Sequence, residues 1–258
     1  DTTPFVGREA ELDELHRLIM SPKIRLVTVI AQGGMGKTRI ALQIGHEFAG
    51  LAERDELTTE QRTYWRNGVY FVALAPLVNP DDMVQAIGDA LGYTFKAGSD
   101  NKAQLLQYLS DKQALIILDN FEHLLGGANL VDDILTSAPS VKIIITSRVR
   151  LNLTSETLFT LEGMDFPNWE TPEDALHYSA VKLFMQSARR ARPDFVLQPD
   201  HLQYVARICR MVQGLPLAIL LAAAWIEMLT PQEIADEIGK SLDFLESDMR
   251  DLPERHRS

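Results

Sequence analysis

Five short runs rich in Val, Ile and Leu, all before residue 163 and none after it, constrain this chain more than any other feature. They are residues 25–31 (RLVTVIA), 69–74, 115–118, 141–146 and 157–161. Runs of this kind read as strands covered on both faces. Helix-like segments separate most of them, at residues 37–49, 81–91, 103–109 and 130–137, and an amphipathic helix over residues 8–20 precedes the first. Asn79 and Pro80 are expected to start the helix at 81–91. Strands alternating with helices build βαβ units and a parallel sheet. The polar stretch 51–67 reads as a surface insertion.

The pattern changes after residue 163. Thr171-Pro172-Glu173-Asp174 predicts a helix to about residue 192, stopped by Pro193. A second helix is expected over 199–212, closed by Gly214, and a third over 216–229. Thr230 and Glu233 form a capping box that opens a fourth. The expected fold is α/β with a parallel sheet over residues 1–163, followed by a small all-α domain over 164–258.

Composition removes whole classes of function. A hydrophobic share of 46% with 24% charged residues is that of a globular chain. The net charge of −11 argues against nucleic-acid binding by this fragment, because that affinity rests on Lys and Arg neutralising phosphates. The single cysteine, Cys209, excludes an internal disulfide and fits a reducing, cytoplasmic compartment. Flanked by Val205, Ile208 and Val212, it reads as a small core residue. The most apolar run, 215–226, falls short of the ~20 residues of a membrane span. The chain lacks an initiator Met and stops at Arg257-Ser258 in a charged stretch, so it is expected to be cut from a longer protein.

Three strand ends carry chemistry. The loop AQGGMGKT, residues 31–38, leaves an apolar strand and enters a helix, the context of a phosphate-binding loop. Gly33, Gly34 and Gly36 allow the tight turn, with Met35 between them, and the helix N-terminus adds partial positive charge. Lys37 would reach the β- and γ-phosphates, and the Thr38 hydroxyl would coordinate Mg²⁺, with Arg39 following in the helix. Ala31 replaces the first glycine of the pattern, which is tolerable if its φ stays negative.

The strand LIILD ends in Asp119, a carboxylate suited to hold Mg²⁺ opposite Thr38. Asn120 cannot deprotonate a water. Glu122 is therefore either the carboxylate that activates it or a solvated residue at a helix start. The strand IIITSR ends in Arg148, placed to meet a γ-phosphate, with Arg150 as its competitor. The six histidines show no metal-ligand spacing.

On these residues the whole chain resembles the nucleotide-binding core of the STAND signal-transduction ATPases, the group that includes the NB-ARC proteins. FVGRE at 5–9 is similar to the family's entry motif, in which Val6 and Arg8 would line the adenine pocket. AQGGMGKT is similar to its Walker A loop, LIILDN to its Walker B strand and ITSR to its sensor strand. GLPLA at 214–218 matches the motif of the helical domain, whose proline, here Pro216, packs against adenine.

The resemblance implies a P-loop NTPase sheet of order 5-1-4-3-2, ATP or ADP as ligand, and a following winged-helix domain that lies beyond this chain. It also implies self-oligomerisation in the ATP state and attached sensor and effector domains. Asn120 stands where many NB-ARC proteins carry a second acidic residue. Three functions fit: a nucleotide-driven switch with slow hydrolysis, a continuously cycling AAA+-type ATPase, and a scaffold that binds nucleotide without hydrolysing it.

Overall fold

Because the pleat sends alternate side chains to opposite faces, a strand apolar throughout must be covered twice. In the computed structural model, which describes residues 5–53, 65–167 and 172–250, five such segments form one parallel sheet. They are β1 (Leu26–Ile30), β2 (Val69–Ala73), β3 (Leu115–Asp119), β4 (Lys142–Ser147) and β5 (Glu156–Thr160). Their order is β2-β3-β4-β1-β5, which is the expected 5-1-4-3-2 read from the other edge. The inner strands β3 and β4 are buried along their whole length.

Register pairs Ile117 with Ile144 and Ile144 with Val27, so these three side chains share a face. Helix α2 (Lys37–Glu53) lies against it, close enough that a Cβ on Gly45 would stand 2.7 Å from the Ile117 side chain. The helix buries Ile40, Ala41, Ile44 and Phe48, and α1 (Glu9–Met20) packs on it. On the opposite face Ile116, Leu118, Ile143 and Ile145 share one core with α3 (Asp82–Ala90), α4 (Asn101–Leu109) and α5 (Ala128–Ser137).

Several local expectations change. Helix α2 continues to Glu53, and Trp65 is buried with its ring edge against Phe48 at 5.3 Å. The end of the expected surface insertion therefore belongs to the core, while residues 54–64 lie outside the described residues. Asn79 does not cap α3. Its carbonyl and that of Pro80 accept the Asp82 and Met83 N–H groups in a turn, and the cap position falls to Asp81. Helix α4 starts two residues early because the Asp100 carboxylate accepts from the Lys102 and Ala103 amides.

Lys142, at the start of β4, is nearly buried. Its Nζ donates to the carbonyls of Ile19 and Ser21 at the end of α1. Burial, aided by the nearby Arg25 charge, lowers its pKa to about 8.

Residues from Gly163 onward form a second compact unit, and residues 5–8 group with it rather than with the sheet. A Cβ on Gly7 would stand 2.5 Å from that of Ser179, which shows how closely this segment lies on the helices. The single helix expected over 171–192 is two, α6 (Pro172–Ala175) and α7 (Ser179–Ala191). Asp165 accepts both the Ser179 amide and hydroxyl, so α7 begins there afresh. A 3₁₀ turn at Pro199–His201 precedes α8 (Leu202–Met211), and α9 (Pro216–Ala224) ends in another at Trp225–Glu227.

Helix α8 closes in a Schellman motif: Gly214 N donates to Cys209 O and Gln213 N to Arg210 O, both at 2.9 Å. The left-handed residue that ends the helix is Gln213, φ +51, with Gly214 following at φ +65. Glycine is required at 214 because a Cβ there would lie 2.0 Å from the Met164 carbonyl oxygen. Helix α10 (Pro231–Arg250) opens on the expected capping box, with Thr230 N donating to Glu233 and Glu233 N to Thr230 Oγ1. Cys209 is buried in this unit's core, and burial pushes its thiol up to about 12. Among the described residues no helix is long and apolar enough to cross a membrane.

Candidate functional site

The carboxyl ends of β1, β3 and β4 lie side by side, so the loops that follow them converge at one edge of the sheet. From β1 the chain enters the loop at 31–36 and then α2. Gly34 (φ +79) and Gly36 (φ +87) take the left-handed conformation that side chains disfavour, whereas Gly33 does not. Ala31, in place of the first glycine, keeps an ordinary φ. Met35, within the loop, and Arg39, in the first turn of α2, are half-buried.

Lys37 Nζ folds back to donate to the carbonyls of Ala31, 2.9 Å, and Gln32, 3.0 Å. Partial burial lowers its pKa. The negative charges of Glu122 and Asp119 oppose that effect, and Arg148 reinforces it. One ammonium thus feels both carboxylates and the guanidinium.

Pleat geometry puts Asp119 on the face that α2 covers, since it follows Ile117 by two residues. Its Oδ2 accepts from Thr38 Oγ1 at 3.1 Å and its Oδ1 from Thr146 Oγ1 at 2.6 Å. The carboxylate is almost fully buried between these two hydroxyls. Thr38 and Asp119 are hard oxygen donors of the kind Mg²⁺ takes. Among the described residues no group of three His, Cys, Asp or Glu could hold an ion by itself. Two such donors suit Mg²⁺, which keeps several waters and takes one or two carboxylates together with substrate phosphates.

Asn120 follows in the left-handed conformation, φ 67 and ψ 54, which asparagine tolerates better than most side chains. Its amide nitrogen approaches His123 Nδ1 at 3.3 Å, and His123 Nε2 lies 3.1 Å from the Leu77 carbonyl. The carbonyl can only accept, so the proton sits on Nε2 and Nδ1 accepts from Asn120. The 3₁₀ turn Phe121–His123 then carries Glu122 to Arg148, whose Nε lies 3.0 Å from Glu122 Oε1. Glu122 Oε2 is buried without a hydrogen-bond partner. The Arg148 guanidinium also lies over the loop, 3.4 Å from where a Cβ on Gly33 would stand. Arg150 is exposed.

Lys37, Thr38, Asp119, Glu122 and Arg148 are thus brought together within the sheet unit. Val6, Arg8 and Pro216 lie in the helical unit. There Arg8 is buried with φ +66, Val6 is half-buried, and Pro216 opens α9. Sequence reasoning missed Thr146 and the bridging role of His123. The period of two in β4 would have placed Thr146 beside Asp119 once the neighbouring strands were known.

No protein-family model matches the chain. An uncharacterized protein of Mycobacterium tuberculosis is 36% identical over 233 residues, 90% of this chain and 53% of that protein. A candidate HTH-type transcriptional regulator of the same organism is 32% identical over 235 residues, 91% of this chain and 24% of the regulator. The chain therefore spans about half the length of the first relative and a quarter of the second.

Among solved structures, Drosophila ORC bound to DNA superposes with a TM-score of 0.61 at 14% identity, over 98% of this chain and 66% of that one. The Aeropyrum pernix ORC2 protein in its ADPNP-ADP complexes gives 0.57 at 15%, over 93% and 70%. The fold is that of the P-loop ATPases. A STAND protein of Pyrococcus horikoshii with a tetratricopeptide repeat sensor is also similar, with a TM-score of 0.50 at 18% identity over 93% of this chain and 33% of that one.

Proposed function

We propose that this chain is the nucleotide-binding core of a signal-transduction ATPase, a switch closed with ADP and oligomerising with ATP. The observation that carries the reading is the gathering of Lys37, Thr38, Asp119, Glu122 and Arg148 at one sheet edge, around the loop that opens α2. A loop with backbone N–H groups, a lysine and a helix N-terminus is built for polyphosphate. The ORC2 protein of similar fold, solved in ADPNP-ADP complexes, supports a nucleotide as that ligand.

In this reading Lys37 leaves its loop carbonyls for the β- and γ-phosphate oxygens. Thr38 and Asp119 hold Mg²⁺, which supplies charge neutralisation on the phosphates. Glu122 orients a water and takes its proton once Arg148 turns to the phosphate. Arg148 exchanges Glu122 for the γ-phosphate, for which a guanidinium fork is suited. By resemblance, Val6, Arg8 and Pro216 of the helical unit are nucleotide-binding residues. Sensor and effector functions belong to other domains. The regulator among the relatives supports transcriptional output.

Slow turnover is favoured over continuous cycling because Asn120 stands where many proteins of the resembled family carry a second acidic residue, and an amide cannot take a proton from water. A switch also needs a large difference in affinity between states, about 5.5 kcal/mol to move a population from 1:99 to 99:1. The test is calorimetric titration of ATP and ADP into wild type and Lys37→Ala. Loss of binding in the variant supports the assignment, and equal affinity overturns it.

A further inference from the structure

Thr146 takes no part in the proposed chemistry, yet its hydroxyl both donates and accepts at the site. It is 1% exposed, and its hydroxyl donates to Asp119 Oδ1 at 2.6 Å while accepting the Asn120 backbone N–H at 2.9 Å. A hydroxyl has one proton to give, and here it goes to a carboxylate, the stronger kind of hydrogen bond. The accepting lone pair fixes the first amide of the turn that leaves β3.

We infer that Thr146 is a positioning residue that sets two groups at once, the Asp119 carboxylate and the turn carrying Glu122. The inference rests on the reading of Thr38 and Asp119 as the Mg²⁺ site. Asp119 has two oxygens, one held by Thr38 and the other by Thr146, so the two hydroxyls together set the rotation of the carboxyl plane. On the other side, Asn120 must hold φ 67, in the left-handed region. Its N–H, fixed by Thr146, pins that residue. The turn Phe121–His123 that follows then delivers Glu122 to Arg148. Valine has the same shape without the hydroxyl. It would leave a buried N–H and one carboxylate oxygen unpaired while keeping the packing of β4.

The experiment compares Thr146→Val and Thr146→Ser with wild type in the full chain. ATP binding is measured by calorimetry in EDTA and across a Mg²⁺ series, and hydrogen exchange is followed over residues 119–124 without nucleotide. Outer-shell partners of metal ligands are worth about tenfold or more in metal affinity. The Val variant should therefore need about tenfold more Mg²⁺ for half-maximal enhancement of ATP binding. Its metal-free affinity should stay within about twofold of wild type, because no phosphate contact is removed. Exchange over 119–124 should be faster in Val and normal in Ser, and the Ser variant should restore the wild-type Mg²⁺ requirement.

An unchanged Mg²⁺ requirement in the Val variant, with wild type clearly Mg²⁺-dependent, would overturn this inference alone. So would an equal loss of affinity with and without the ion, which would mark general damage. A wild type whose ATP affinity ignores Mg²⁺ would bring down the metal assignment and this inference with it.

Discussion

Arg148 Nε lies 3.0 Å from Glu122 Oε1, with the arginine side chain 63% exposed and the glutamate 17%. The pair joins the turn after β3 to the residue that follows β4, so the carboxylate is held by a group free to swing toward solvent or ligand. Two separable effects follow. Glu122→Gln should lower ATP turnover by about 10²-fold or more without loss of ATP affinity, the signature of a lost general base. Arg148→Ala should weaken ATP while leaving ADP affinity near wild type. Single-turnover kinetics and nucleotide titrations distinguish the two, and a Gln variant that hydrolyses at the wild-type rate would return Glu122 to a structural role.

Lys37 holds loop carbonyls now and phosphate oxygens in the proposed complex. Lys37→Met should reduce affinity for both ATP and ADP by about tenfold or more, since a charge-assisted contact is worth about 1.5–3 kcal/mol. The thermal midpoint of the nucleotide-free protein should change little, because the lysine's present partners are carbonyls at a half-open loop.

Lys142 gives a pH-dependent expectation. Its folded pKa, about 8, lies below its unfolded value of 10.5, so between these values the unfolded state binds more protons. Stability from this group therefore rises as pH climbs through that window, and the cost of burying the charge is fully present below it. Relative to Lys142→Met, wild type should gain in urea midpoint between pH 7.5 and 10. A gap between the two proteins that stays constant with pH would contradict this.

Gly214 is held by backbone on both sides, with Met164 N donating to its carbonyl at 2.8 Å. Gly214→Ala should destabilise the helical unit by about 2 kcal/mol or more, from the left-handed φ and the Met164 carbonyl contact together. The loss should appear in thermal unfolding, with the midpoint falling by several degrees. A tolerated alanine would mean the loop shifts freely.

The sheet, its strands and the loop at 31–38 were legible in the sequence because each depends on short-range pattern: apolar runs, a glycine cluster, a helix start. Asp119 and Arg148 stood out because a polar residue at the end of an apolar strand is a local anomaly, and Thr38 because it follows Lys37 after the glycine-rich loop. Other features could not be read this way. The break between α6 and α7 depends on Asp165, fourteen residues before Ser179 in the chain. Trp65 ends a polar stretch and is buried only because Phe48 offers a ring. Glu122 reads as either a water-activating carboxylate or a solvated residue at a helix start, and its pairing with Arg148, twenty-six positions away in the sequence, was not legible.

The sequence by itself therefore determined which segments become strands, which loop turns on glycine, and which chemical groups sit at strand ends. These follow from residue-level preferences that act over a few positions. Only the tertiary structure decided which of those groups meet. Register in a parallel sheet places Thr146 beside Asp119, and strand order places both next to α2, and neither is encoded within any one segment.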